Sequence, residues 1–155
     1  MEKVDIEELE SWMSPATIKR PVGKALDAEN LAINYYELSP GDSFAFGYHA
    51  HAEQEETFYI LEGTVTFETE DGDVVVGADE VIHFEAGEFQ RGWNRGDERV
   101  KALAMGAPQE GGELTLLCEC PDCGERTDHV VERAEAGDAL VTVCEDCGAE
   151  TARYS

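Results

Sequence analysis

Two groups of residues in this chain have types and spacings that suit chemistry. The first is Cys120-Pro121-Asp122-Cys123-Gly124 with Cys144-Glu145-Asp146-Cys147-Gly148. Cysteines three apart and followed by glycine form a knuckle, in which backbone amides curl toward the thiolates. Two knuckles brought together by a hairpin complete a tetrahedral four-sulfur shell. Zinc suits such a shell, with iron in a rubredoxin-like site as the rival, because sulfur geometry alone does not separate the two. All four positions are filled, so this metal stabilises rather than catalyses. The second group is His49, His51 and Glu56. His49 and His51 alternate around Ala50, so on a strand both imidazoles face one way. On the next strand Glu56, Phe58 and Ile60 share a face, which adds a carboxylate. Two His and one carboxylate with open positions suit non-haem iron and also accept manganese, nickel or zinc.

Further residues near these groups are candidates of a weaker kind. Cys118 is the odd cysteine and reads as a small packed residue. His129, between the knuckles, reads as an ordinary surface histidine. His83 shares a face with Val81 and reads as structural. Glu53 and Glu55 read as solvated acids, with a supporting base as the other possibility. Tyr48, Phe58 and Trp93 are candidates for a pocket mouth.

The elements that must position these groups are short strands. LAINYYEL, TFYIL, TVTFET, DVVVG, EVIHF and RVKALAM are rich in β-branched and aromatic residues. Breaks fall at Pro40-Gly41, Glu62-Gly63, Asp71-Gly72, Ala86-Gly87 and Arg95-Gly96. Evenly spaced strands without helices between them predict an all-β antiparallel barrel or sandwich, with Asp71-Gly72 as a hairpin turn. Residues 4–13 predict a short amphipathic helix presenting Ile6, Leu9, Trp12 and Met13, ended by Ser14-Pro15. The stretch after it, with Lys19, Arg20 and Lys24, predicts a solvated loop. The resulting organisation is an N-terminal helix and arm over 1–30, a barrel over 31–107, a linker over 108–114 and a cysteine module over 115–155. That module is too short for a strong core, so a structural metal is expected.

The central segment resembles the first motif of the cupin family: His-x-His, four residues, Glu, six residues, Gly. His49, His51, Glu56 and Gly63 meet that spacing, while the preceding glycine is displaced, with Gly41 the nearest fit. The second cupin motif resembles Glu85 to Asn94, with Gly87 and Asn94 in place. Glu85 replaces its proline, and Gln90 stands where a fourth ligand histidine is expected. The resemblance implies a double-stranded β-helix, or jelly-roll, barrel with a divalent metal held by His49, His51, Glu56 and Gln90. As a neutral oxygen donor, Gln90 weakens the set and favours harder cations; its other role is to hold a bound water. Residues 116–150 resemble zinc ribbons through Cys120, Cys123, Cys144 and Cys147. Cupins include enzymes such as oxygenases and isomerases as well as binding modules. A small-molecule ligand and a homodimer are the partners implied, and the ribbon suits protein contact.

Composition narrows the alternatives. The 155 residues carry 35 acids against 11 Lys and Arg, a formal net charge of −24. Such a surface repels phosphates, which argues against nucleic acid. It suits a folded protein at very high salt, as in a halophilic archaeon, where screening removes self-repulsion. No apolar run is long enough for a membrane span, and the acidic start MEKVDIEELE is unlike a secretory signal. The expectation is a cytoplasmic protein.

Overall fold

A computed structural model describes all of residues 1–155, and nearly all of its regular structure is antiparallel sheet. The first sheet contains β1 (Ile18–Arg20), β2 (Ala32–Leu38), β4 (Glu55–Glu62), β7 (Val81–Phe84) and β9 (Val100–Ala107), in the order β1-β2-β9-β4-β7. The second contains β3 (Tyr48–His51), β5 (Thr64–Thr69), β6 (Gly72–Gly77) and β8 (Gln90–Trp93). It continues through β10 (Leu114–Cys120), β11 (Glu125–Arg133), β12 (Leu140–Cys144) and β13 (Glu150–Tyr154), in the order β13-β12-β11-β10-β3-β8-β5-β6. The two sheets face each other as the halves of the expected barrel. Asp71-Gly72 turns β5 into β6, with Gly72 at φ +101°.

Period-two alternation sends Phe58 and Ile60 of β4, Val65 and Phe67 of β5, and Tyr36 and Leu38 of β2 into the core. Phe44 sits at its centre, with ring centroids 5.1 Å from both Tyr36 and Phe58 and 6.0 Å from Phe67. Gly92 of β8 passes directly under this cluster: a Cβ there would lie 2.6 Å from Phe44 and 2.7 Å from Phe67. Asn94, one of the two matches to the second motif, is wholly buried and donates to the carbonyls of Leu38 (2.9 Å) and Glu98 (2.7 Å). It therefore ties strand ends together instead of facing a ligand.

The C-terminal segment joins the barrel by sheet continuity. Leu116 of β10 pairs with His49 of β3, and the same strand ends at Cys120. Tyr154 of the last strand packs its ring against Phe46 at 5.2 Å, and Arg126 of β11 reaches Glu68 of β5 at 2.9 Å. The segment's own core is small: Ala134, Ala139 and Val141, with Val143 against them.

The N-terminal region departs from expectation. Residues 4–13 hold a 3-10 turn at Ile6–Glu8, capped by Asp5 Oδ1, and no longer helix. The chain runs extended from Leu9 because the Trp12 amide donates to the Lys19 carbonyl and Ser11 Oγ accepts from the Lys19 amide. Trp12 lies on the surface under Lys24, whose Nζ is 4.8 Å from the ring centroid. The segment with Lys19, Arg20 and Lys24 is not a solvated loop: it forms β1 and the short helix α1 (Val22–Ala25). No helix is long and apolar enough to cross a membrane.

Candidate metal centres

His49, His51 and Glu56 come together at one end of the barrel, their ligand atoms all within 4.8 Å of one another. β3 supplies both imidazoles on one face, and β4 brings Glu56 from the opposite sheet. His51 Nε2 lies 3.2 Å from Glu56 Oε1, and His49 Nε2 lies 3.9 Å from Oε2. The Gly47 carbonyl accepts from His49 Nδ1 at 3.0 Å, which leaves Nε2 as the nitrogen turned toward Glu56. His51 is set from its other side by Gly111, where a Cβ would lie 2.5 Å from Nδ1. Burial alone would raise the Glu56 pKa, but the hydrogen bonds and charge of His49 and His51 outweigh it and hold it at about 2. The carboxylate is thus ionised and faces two imidazole nitrogens that donate to it; a divalent cation would take the place of those protons, so the donor set fits one.

Gln90 is buried beside this set, opposite His49 in the sheet. Its Nε2 donates to Glu56 Oε2 at 2.8 Å and lies 3.4 Å from His49 Nε2. In this orientation Gln90 orders the carboxylate. The amide must turn over to offer its oxygen to a cation.

The set opens into a cavity of about 380 Å³. Its floor is made of small residues: Ala32, Ala104 and Gly106. The row Ala32, Gly106, Glu56 runs straight across three strands, and the Gln54 amide packs over Gly106, where a Cβ would lie 2.7 Å from it. Phe58 lines this cavity, as expected, but Tyr48 and Trp93 do not. Tyr48 stacks on Phe89 (5.3 Å), and Trp93 lies under Arg91, with the guanidinium carbon 3.8 Å from its centroid. His83 stands apart, with Thr57 Oγ1 at 2.8 Å and Glu55 at 3.9 Å. Glu53 and Glu55 are exposed. Lys19 lines the cavity, a position concealed by the expectation of a loop.

The segment between β9 and β10 packs on the β3–β4 turn. Gln54 Nε2 donates to the carbonyls of Pro108 (2.8 Å) and Gln109 (3.2 Å). The Glu53 amide donates to Gly111 and the Ala52 amide to Glu113.

At the far end of β10, the sulfurs of Cys120, Cys123, Cys144 and Cys147 also lie within 4.8 Å of one another. Cys120 and Cys147 are 3.6 Å apart, and Cys123 and Cys144 are 3.9 Å apart. A tetrahedral shell with metal–sulfur bonds of about 2.3 Å requires edges of about 3.8 Å. The Thr127 hydroxyl, 3.1 Å from Cys144 Sγ, leads in lowering that thiol's pKa to about 6, with the amides of Cys147 and Asp146 assisting. Cys123 is pushed up, first by Cys147 and Cys120 beside it. Crowded sulfurs that cannot all ionise together fit a cation that would neutralise them. Cys118 lies outside the cluster and donates to the Phe46 carbonyl at 3.5 Å.

His129 corrects the expectation of a surface histidine. It is buried, because Thr127 and His129 alternate inward on β11. Its Nδ1 bonds the Thr127 carbonyl at 2.8 Å, and Nε2 is buried without a partner. The alternation of Thr127, His129 and Val131 was readable, but the adjacent Val130 and Val131 blurred which face was inward.

Similar proteins fit this architecture. A family model, the cupin domain, matches residues 34–106. No curated protein matches the chain. Among solved structures, a sugar phosphate isomerase from a cupin superfamily of Silicibacter pomeroyi is 20% identical, with TM-score 0.63, covering 97% of this chain and 92% of its own. The polyketide cyclase RemF of Streptomyces resistomycificus is 22% identical, with TM-score 0.64, covering 79% of this chain and 89% of its own. A predicted oxalate decarboxylase of Thermotoga maritima is 23% identical, with TM-score 0.60, covering 69% of this chain and 99% of its own. At these identities the likeness speaks for the fold, and with the motif-bearing strands it leads to one statement. Residues 34–106 match the cupin domain and carry its all-β, double-stranded β-helix fold.

Proposed function

We propose that the chain is a small metal-dependent enzyme of the oxygenase or isomerase kind, acting on a small molecule in the barrel. One observation carries this reading: His49, His51 and Glu56 converge at the end of an open cavity, with two imidazole nitrogens facing an ionised carboxylate. These three residues hold iron, manganese, nickel or zinc. Gln90 orders Glu56, or offers its oxygen after turning over. When bound, such a metal supplies Lewis acidity or oxygen binding. The protein's own part is to bind the small molecule, orient it on the small-residue floor and shield it from water. The cysteine site holds structural zinc. The acid surplus supports a high-salt setting.

A second reading, a non-catalytic binding or sensing module, draws on one feature of the cavity. Apart from Glu56 and the two histidines, its lining includes no carboxylate or imidazole to act as a general base. The similar structures do not choose between these readings, since their names describe three different activities.

Metal analysis of the purified protein tests the proposal. We expect one zinc per chain plus a second metal. His49→Ala removes only the second and Cys123→Ser only the zinc. Zinc alone in the parent, unchanged by His49→Ala, would sink the barrel-metal reading.

A further inference from the structure

The cavity contains a second polar group that the metal site does not use. β1 is added to the edge of the first sheet by the N-terminal arm, outside the matched cupin domain. Its register sets Lys19 opposite Tyr36, and Asn34 and Tyr36 alternate inward on β2. All three side chains line the cavity, and Lys19 Nζ lies 5.9 Å from the Tyr36 ring centroid.

Lys19 combines two properties that no other Lys or Arg of the chain shows together: it lacks the carboxylate partner that five of the eleven have, and it lines the cavity. Arg95, Arg99, Lys101, Arg126 and Arg153 each sit within 4 Å of a carboxylate. Lys19 has no such partner, although the chain carries 35 acids. It is also the one lysine or arginine lining the cavity. Burial lowers its pKa, while Glu56 acts in the opposite direction. An ammonium half-removed from water without a counter-ion is costly, and an anion placed beside it removes that cost. The Asn34 amide and the Tyr36 hydroxyl, both free of protein partners, add neutral hydrogen-bonding groups to the same patch.

The spacing from the metal ligands is definite. In the order β1-β2-β9-β4, Asn34 and Tyr36 stand two strand spacings, roughly 10 Å, from the Glu56 strand. The Lys19 strand stands three, roughly 14 Å, a gap that the long lysine side chain shortens from its own end. Between β2 and β4, Ala104 is the small residue that separates Asn34 from Phe58 in the same row.

Building on the barrel-metal reading, we propose that Lys19, with Asn34 and Tyr36, is an anion-binding subsite that selects a substrate with two ends. One end is an oxygen pair that chelates the metal, and the other is a carboxylate or phosphate held by Lys19. The net charge of −24 makes this selection depend on a local cation, because the general field repels anions.

Three probes share a 2-hydroxy acid head and differ in the tail: lactate (methyl), malate (carboxylate) and 3-phosphoglycerate (phosphate). Titration calorimetry on the manganese-loaded protein should show malate or 3-phosphoglycerate binding about tenfold tighter than lactate. The better of the two identifies the tail chemistry. Lys19→Met should erase the preference while leaving lactate affinity and manganese content unchanged, and Lys19→Arg should keep it. Equal binding of all three probes to the parent would overturn the proposal. So would a preference that survives in Lys19→Met, or no binding of either anionic-tailed probe to any form. The same titrations on metal-free protein separate the two ideas. Lactate binding lost with the metal reports the metal site, whereas the preference among tails reports Lys19 in either form.

Discussion

Glu56 stands between two imidazoles and an amide donor, and its ionisation links the site to stability. Its unfolded reference is 4.5, and the folded value is held down to about 2. A depressed carboxylate contributes stability that is fully present above pH 4.5 and is lost as pH falls through 2. The contribution is on the order of 3 kcal/mol at most. We therefore expect metal-free parent protein to be more stable than Glu56→Gln at pH 5, with the gap closing toward pH 2. Denaturant melts across that range check this, and a gap independent of pH would contradict it. The same scale shows what residue types alone conveyed. His49, His51, Glu56 and the four cysteines were legible because ligand chemistry demands particular atoms at particular spacings. The orientation of Gln90 was not, since an amide presents donor and acceptor alike and only its neighbours decide which is used. His129 was missed because a histidine is compatible with either face of a strand.

At the scale of elements, the stretch between β9 and β10 acts as a brace for the metal-binding turn. Its carbonyls hold Gln54, and Gly111 backs the ring of His51. Gly111→Ala would place a methyl 2.5 Å from His51 Nδ1, so the ring must move off its line to Glu56. The expected result is at least a tenfold loss of barrel metal affinity with the cysteine zinc retained. Gly96→Ala, whose methyl meets only Asn94 Oδ1 at 3.5 Å, is the control. Equal metal affinity in both variants would remove this role for Gly111. The barrel strands were legible from alternation and Gly-containing turns. The brace was not, because Pro108, Gly111 and Gly112 read as a flexible connection, and their partners lie more than fifty residues earlier. β1 was hidden for a similar reason: three residues show no periodicity, and they become a strand only by pairing with β2.

For the whole molecule, charge governs how stability responds to the solvent. Most of the 35 carboxylates have no cation to face, since there are only 11 Lys and Arg. At 0.1 M salt the screening length is about 10 Å, so acids on neighbouring strands repel one another; at 1 M it is about 3 Å. Thermal melts in 0.1 M and 1 M KCl should show the midpoint rising by roughly 5–10 °C, the equivalent of a few kcal/mol for a chain of this size. A flat or falling midpoint would mean that the surplus acids are not a stability burden.

The pairing of Leu116 with His49 has a consequence for how this chain is divided. β3 is a short strand, with β8 on one side and β10 on the other. A chain ending at Ala107 would keep every residue of the cupin domain yet strip one side of β3, laying open its amide and carbonyl groups next to two ligand histidines. Bare edges of this kind recruit whatever strand is available, including the same edge of another molecule. The cysteine segment is thus the cover for that edge of the sheet, and cutting it away leaves a molecule prone to stick to itself.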